Sequence, residues 1–141
     1  MSKRYLSPYI NFQGRAREAM EFYREVLGGE LELRSLDERG LPRPAGPRDR
    51  ITYARLEVDG ALLIGSDGHP DYPPSLGDHI GIALGGGDED RLAEIFTRLA
   101  EGGTVKMPLT EQPWGGRIGW LMDRFGINWM VSVEASGRGA S

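Results

Sequence analysis

A chain of 141 residues suits one compact domain, or two very small ones that share a core. Its formal net charge of −4, with acids and bases interspersed, disfavours a general nucleic-acid binder, which gains its affinity from a clustered basic face. The absence of cysteine excludes disulfides, thiolate metal sites and cysteine nucleophiles.

The opening stretch "MSKRYLSPYI" has no signal-peptide apolar core, and no apolar run approaches membrane-spanning length. A cytoplasmic protein without membrane contact is expected. "SPYINF" is short and β-prone, bounded by Pro8 and Gly14. "RAREAMEFYREVLGG" then places Ala16, Ala19, Met20, Tyr23, Val26 and Leu27 at spacings of three and four, the pattern of one helix face. Gly28 and Gly29 end that helix, because glycine accepts the left-handed conformation past a helix C-terminus. "ELELRSL", "RITYARLEV" and "ALLIGSD" read as strands, the last two joined by a hairpin at Asp59-Gly60. Between the first two, "LDERGLPRPAGPRD" reads as a polar loop long enough to be mobile or to cover a cleft mouth.

"SDGHPDYPPSLGD", rich in Pro, Gly and Asp, reads as a linker. Beyond it the order repeats. "DHIGIALGG" is a predicted strand, and "DEDRLAEIFTRLAEGG" a helix with Leu92, Ile95, Phe96 and Leu99 inward. "TVKMPL", "RIGWLMD" and "INWMVSV" follow as strands, the last two joined by Arg124 to Gly126. "FYREVLGGEL" and "FTRLAEGGTV" lie 74 residues apart, an offset that superposes both double-glycine stops. A period this long, found twice, signals a duplicated module rather than a solenoid. The expected organisation is a first βαβββ module over 1–67, a linker over 68–77, a second module over 78–135 and a disordered tail over 136–141. The fold class is α+β, with two modules whose helix-free faces curve around a shared cleft.

Paired modules of this order resemble the vicinal oxygen chelate superfamily, which includes glyoxalase I, extradiol dioxygenases and bleomycin-resistance proteins, and within it the PhnB-like group. The resemblance rests on "PYINFQGRAREAMEFYREVLGGEL" and "VKMPLTEQPWGGRIGWLMDRFGINWMV", and covers nearly the whole chain apart from the loop around 37 to 50 and the tail. It implies a homodimer. Metal-using members take His, Glu or Gln ligands from the first and last strands of each module. Here the resemblance places those positions at Pro8, Gly65, Gly81 and Met130; the first three cannot bind metal through a side chain, and a thioether suits hard divalent ions poorly. A shift of register by two brings in His79, with Asp67 and either Asn11 or Tyr9, which is a weak donor set. No cofactor is therefore expected, and a divalent metal at His79 is the alternative. His69 reads as an ordinary loop residue.

Other chemistry finds less support. "LGGGDED" lacks the third glycine of a dinucleotide fingerprint, and Asp88, Glu89 and Asp90 put negative charge where a phosphate needs a helix N-terminus. Those acids stabilise the helix start instead. Ser66 and Ser75 have no evident base, and "HPD" at 69–71 sits in a Pro-rich loop without fixed geometry. Some PhnB-like sequences carry a ubiquinone methyltransferase label, but this chain has no nucleotide-binding glycine pattern and no room for a separate cofactor domain. Asp123 is expected to fix the "RFG" turn, and Trp129 to be core while its neighbour Met130 faces the cleft. Trp120 also lies within a strand. Trp114, in the loop entering the final hairpin, is the better pocket-lining aromatic. Arg117 and Arg55 read as exposed edge residues with the alternative role of binding an anionic group. The cleft candidates are Tyr9, Asn11, Tyr53, Asp67, His79, Trp114, Arg117 and Met130. The expected function is metal-independent binding of a small molecule in the cleft; the alternative is a glyoxalase-type lyase, isomerase or dioxygenase using a reduced site around His79.

Overall fold

The computed structural model describes residues 6–135. The expected disordered tail over 136–141 lies outside the described residues. The chain divides into two compact units that part between Ser75 and Leu76.

In the first unit, β1 (Tyr9–Asn11) leads to α1 (Ala16–Leu27), followed by β2 (Glu30–Leu36), β3 (Pro42–Pro44), β4 (Tyr53–Val58) and β5 (Ala61–Ser66). The sheet order is β1-β5-β4-β2-β3, with β1 and β5 parallel and the other pairs antiparallel. In the second, β6 (Gly81–Gly86) leads to α2 (Glu89–Leu99), then β7 (Thr104–Glu111), β8 (Arg117–Met122) and β9 (Asn128–Val133), in the order β6-β9-β8-β7. Setting β3 aside, both sheets run first, last, third, second, with the same parallel pair. The duplication read from the double glycines is a duplication of topology.

Each helix lies on one face of its own sheet. Ala16, Ala19, Met20, Tyr23 and Val26 are fully buried, as their spacing requires. Burying side chains as large as Met20 and Tyr23 contributes roughly 1.5–3 kcal/mol apiece. Strand glycines make room for aromatic rings on the helix side of each sheet. A Cβ on Gly65 would stand 2.5 Å from the ring of Phe12, and one on Gly119 would stand 2.6 Å from the ring of Phe96. The double glycines after the two helices share two features, although Gly28 caps α1 itself and Ala100 caps α2. Gly28 (φ 81°) and Gly102 (φ 77°) turn the chain in the left-handed region. Gly29 and Gly103 then pass so close to the carbonyls of Glu57 and Met122 that a Cβ would collide with them.

The helices begin differently. Asp88 caps α2 conventionally, its side chain accepting from the Arg91 amide at 3.1 Å. The first helix has no side-chain cap of its own at Arg15; Asp67, arriving from the end of β5, accepts from the Ala16 amide at 2.9 Å.

The stretch read as a mobile polar loop is partly strand. β3 pairs with β2 (Arg34↔Pro44, Leu36↔Pro42), and the rest is tied down by side chains. Asp37 accepts from the amides of Arg39 and Leu41, and Arg17 donates to the carbonyls of Gly46 and Asp49. Arg43 pairs with Asp49 at 2.7 Å, and Asp49 also takes the Gly46 amide. The second correction concerns His79. The strand read from "DHIGIALGG" begins only at Gly81, and His79 occupies an exposed bend before it, so strand alternation does not aim its side chain.

Candidate functional site: the open sheet faces

Each sheet has one face under its helix and one without a helix. Cross-strand register settles which residues occupy the helix-free faces. In the first unit, Tyr9, Ile64, Arg55 and Glu32 stand in one row across β1, β5, β4 and β2. Alternation adds Asn11 and Ser66 on one side of that row, and Tyr53 and Arg34 beside them. The Tyr9 hydroxyl meets the Ser66 Oγ at 2.6 Å, which holds the phenol across β5. Glu32, directly opposite Arg55, turns to Arg34 instead, receiving its Nε at 2.6 Å. Arg55 keeps a loose contact to Glu57 at 3.6 Å.

The second unit carries different chemistry on its helix-free face. Ala83, Met130, Trp120 and Met107 form one row across all four strands. Met122 lies two residues from Trp120 on the same face, and β6 contributes Gly81 and Gly85 there. Trp120 is 46% exposed, although it sits in the middle of a sheet. Polar groups border the row: Lys106 Nζ donates to Asn128 Oδ1 at 3.1 Å.

The predicted site residues separate into groups. Tyr9, Asn11 and Tyr53 share the open face of the first sheet, and Met130 lies on that of the second. Asp67 is occupied structurally: one oxygen takes the Ala16 amide and the other the Ile51 amide at 2.7 Å. Arg117 stands on the helix side of its sheet, in register with Gly86 and Val133, and pairs with Glu89 at the start of α2 at 2.8 Å. Trp114, 65% exposed, sits in a turn closed by the Gly115 amide on the Gln112 carbonyl. His79 is exposed. Trp129 is buried, and its indole N–H donates to Asp123 Oδ2 at 2.9 Å. The other Asp123 oxygen accepts from Phe125 and Ile127, so the carboxylate fixes the turn as expected and also anchors the core tryptophan. Sequence reasoning did not single out Trp120 or Ser66 for the face; counting strand parity backwards from buried Trp129 across the hairpin is the signal that finds Trp120.

Among the described residues, no three His, Asp or Glu side chains gather closely enough to hold a metal ion. The positions given by the resemblance do not fit one chemically. Gly65 presents its Cβ direction to Phe12 on the helix side, and the neighbouring open-face residue is Ser66, whose hydroxyl already meets Tyr9. Gly81 and Met130 do lie on the open face of their sheet, but they offer a hydrogen atom and a thioether.

Besides the faces, a cavity of about 260 Å³ lies near the start of α1, lined by Asn11, Gln13, Arg50, Asp67, His69 and Pro73 among others. His69 is held there by the Asp71 amide on its Nδ1 at 3.0 Å. In the β3 segment, the hydrogen bond from Arg43, then that from the Gly46 amide, holds the Asp49 carboxyl below its ordinary value. The same bond raises Arg43.

Residues 4–132 match the family described as 3-demethylubiquinone-9 3-methyltransferase. Protein PA1353 from Pseudomonas aeruginosa is 39% identical, its crystal structure superposing with a TM-score of 0.81 over 95% of this chain and 100% of that one. A PhnB protein from Bacillus cereus superposes with a TM-score of 0.73 at 22% identity, covering 92% of this chain and 99% of its own. A member of the glyoxalase/bleomycin resistance protein/dioxygenase superfamily from Sphaerobacter thermophilus is 25% identical, with a TM-score of 0.56 over 94% of this chain and 98% of that one.

Proposed function

This chain belongs to the PhnB-like 3-demethylubiquinone-9 3-methyltransferase family, on the fold of the glyoxalase/bleomycin resistance/dioxygenase superfamily, and from that membership we propose that it binds a small molecule against its open sheet faces without a metal ion. One observation carries the reading: the row Ala83, Met130, Trp120 and Met107 on the second sheet. A half-exposed tryptophan between two thioethers is costly to leave in water, and it offers a planar ring the stacking surface it prefers. Alanine and glycines beside the row keep the surface low, so a flat molecule can approach the backbone. The thioethers adapt to ligand shape.

Donor chemistry supports metal independence. Pro8, Gly65, Gly81 and Met130 stand at the positions where the resemblance places the imidazoles and carboxylates of metal-using superfamily members. Asp67, two residues beyond Gly65, is held by two backbone amides. The methyltransferase named by the family is not carried over to this chain. The glycine run before α2 leads into Asp88, which is spent on capping the helix, where a nucleotide phosphate needs free amides. A homodimer forms part of the proposal, on the family resemblance.

The test is a fluorescence titration of purified protein against a panel of aromatic metabolites, run with and without chelator. Ligand-dependent quenching that persists in chelator, and weakens by roughly tenfold or more in Trp120→Ala, supports the reading. Quenching abolished by chelator and restored by a divalent ion favours the metal-dependent alternative.

A further inference from the structure

Arg55 sits at the centre of the first unit's open face, and its Nε is buried without a hydrogen-bond partner among the described residues. Buried N–H donors are nearly always satisfied, so this one calls for an acceptor. The obvious acceptor has been withdrawn. Glu32 is the direct cross-strand partner of Arg55, yet its carboxylate is taken by Arg34. Glu57 stands 3.6 Å from Nη2, beyond hydrogen-bond distance, and is itself 53% exposed. The Arg55 side chain is 37% exposed, so the far end of the guanidinium remains reachable from solvent.

The surroundings define what fits. Tyr53 lies two residues along β4 on the same face, and Ile64 and Tyr9 continue the row on the other side. The Tyr9 hydroxyl is already engaged by Ser66, which leaves its ring as an apolar surface. A guanidinium edge presents two parallel N–H groups that match the two oxygens of a planar carboxylate.

We infer that Arg55 anchors the carboxylate of an aromatic acid whose ring rests against the tyrosines of the first unit's open face. The inference rests on the reading of the open faces as ligand surfaces, and it names the ligand class. On binding, the guanidinium turns outward, so that the carboxylate satisfies Nε and the adjacent Nη together and displaces the loose contact with Glu57. The aromatic body covers Ile64 and a tyrosine ring.

The experiment is a nitrogen–proton NMR titration of the full chain with benzoate, and with benzyl alcohol as the uncharged control. The Arg55 Nε–H signal is assigned by its loss in Arg55→Lys, a variant that keeps the charge on an exposed face. Overlay of its remaining amide signals with the parent shows that it folds. The expected result is a saturable downfield shift of the Arg55 Nε–H with benzoate, none with benzyl alcohol, and benzoate affinity weakened by ~10-fold or more in Arg55→Lys. Benzoate that moves the Trp120 indole signal but not Arg55 overturns the inference and leaves open-face binding standing. Benzoate that moves neither also overturns it, as does equal affinity in the parent and Arg55→Lys.

Discussion

Where the first unit lays Tyr9, Tyr53, Arg55 and Ser66 on its open face, the second lays Ala83, Met130, Trp120 and Met107. Their helix sides show the opposite relation. Both units seat an aromatic ring on a strand glycine, Phe12 on Gly65 and Phe96 on Gly119. Both follow the helix with a glycine of positive φ, Gly28 or Gly102, and then with one pressed against a strand carbonyl, Gly29 or Gly103. Close packing leaves little choice under a helix, since a single added methyl collides with backbone or ring. The open faces carry no such constraint, and there the units have become a hydroxyl-and-guanidinium surface and a tryptophan-and-thioether surface. Shared packing on one side with divergent chemistry on the other is the pattern that the proposed binding role of the open faces leads one to expect.

Each unit also has a carboxylate staple between a strand end and the backbone around it, and the two are unequal. Asp123 is 2% exposed and receives two backbone amides and the indole of Trp129. Asp67 receives two amides at a less buried position. Asp123→Ala is therefore expected to destabilise by about 3 kcal/mol or more, because it strands a buried indole donor, and Asp67→Ala by about 1–2 kcal/mol, as for a lost helix cap. Urea denaturation of both variants checks the order. A larger loss at Asp67 breaks the comparison.

The glycine seats give the next effect. Gly65→Ala and Gly119→Ala should each cost about 1–3 kcal/mol by overpacking against a phenyl ring. Pairing Gly119→Ala with Phe96→Leu should cost less than the two singles added, in a double-mutant cycle. Additivity would detach the glycine from the ring.

The smallest effect belongs to the β3 segment, an addition to the first sheet with no counterpart in the second among the described residues. The Asp49 carboxyl is held below its ordinary value of 3.8, chiefly by Arg43. A group depressed on folding contributes stability above its unfolded value and loses it as pH falls through the folded one. Exchange of the Gly46 amide, which Asp49 holds, should accelerate as pH is lowered through and below that range, after correction for intrinsic rates. Arg43→Gln should bring the acceleration on at higher pH. An unchanged profile in that variant would remove the pair as its cause.

The sequence made legible the duplicated order of elements and, within it, the local turns and faces. Asp59-Gly60 announced its hairpin, and both residues adopt positive φ, at 51° and 86°. The helix faces followed from spacing, and Trp129 separated from Met130 by alternation. β3 escaped notice because Pro-Arg-Pro is a poor strand signal; prolines cannot donate to a ladder and survive only at the sheet edge where β3 lies. Asp67 read as a cleft candidate because its role as cap to α1 joins residues 51 apart in the chain. Arg117 read as an edge residue or anion ligand, yet the register of β8 puts it on the helix side, paired with Glu89. A one-residue change of register exchanges the faces of a strand, so side-chain assignments needed the pairing itself.

The central claim is that these open faces act without a metal ion, and elemental mass spectrometry on untagged protein purified without chelator tests it most directly. The expected result is a folded protein with far less than one equivalent of zinc, nickel, manganese or iron. Near-stoichiometric metal that falls away in His79→Ala would contradict the claim and restore glyoxalase-type chemistry at the bend before β6.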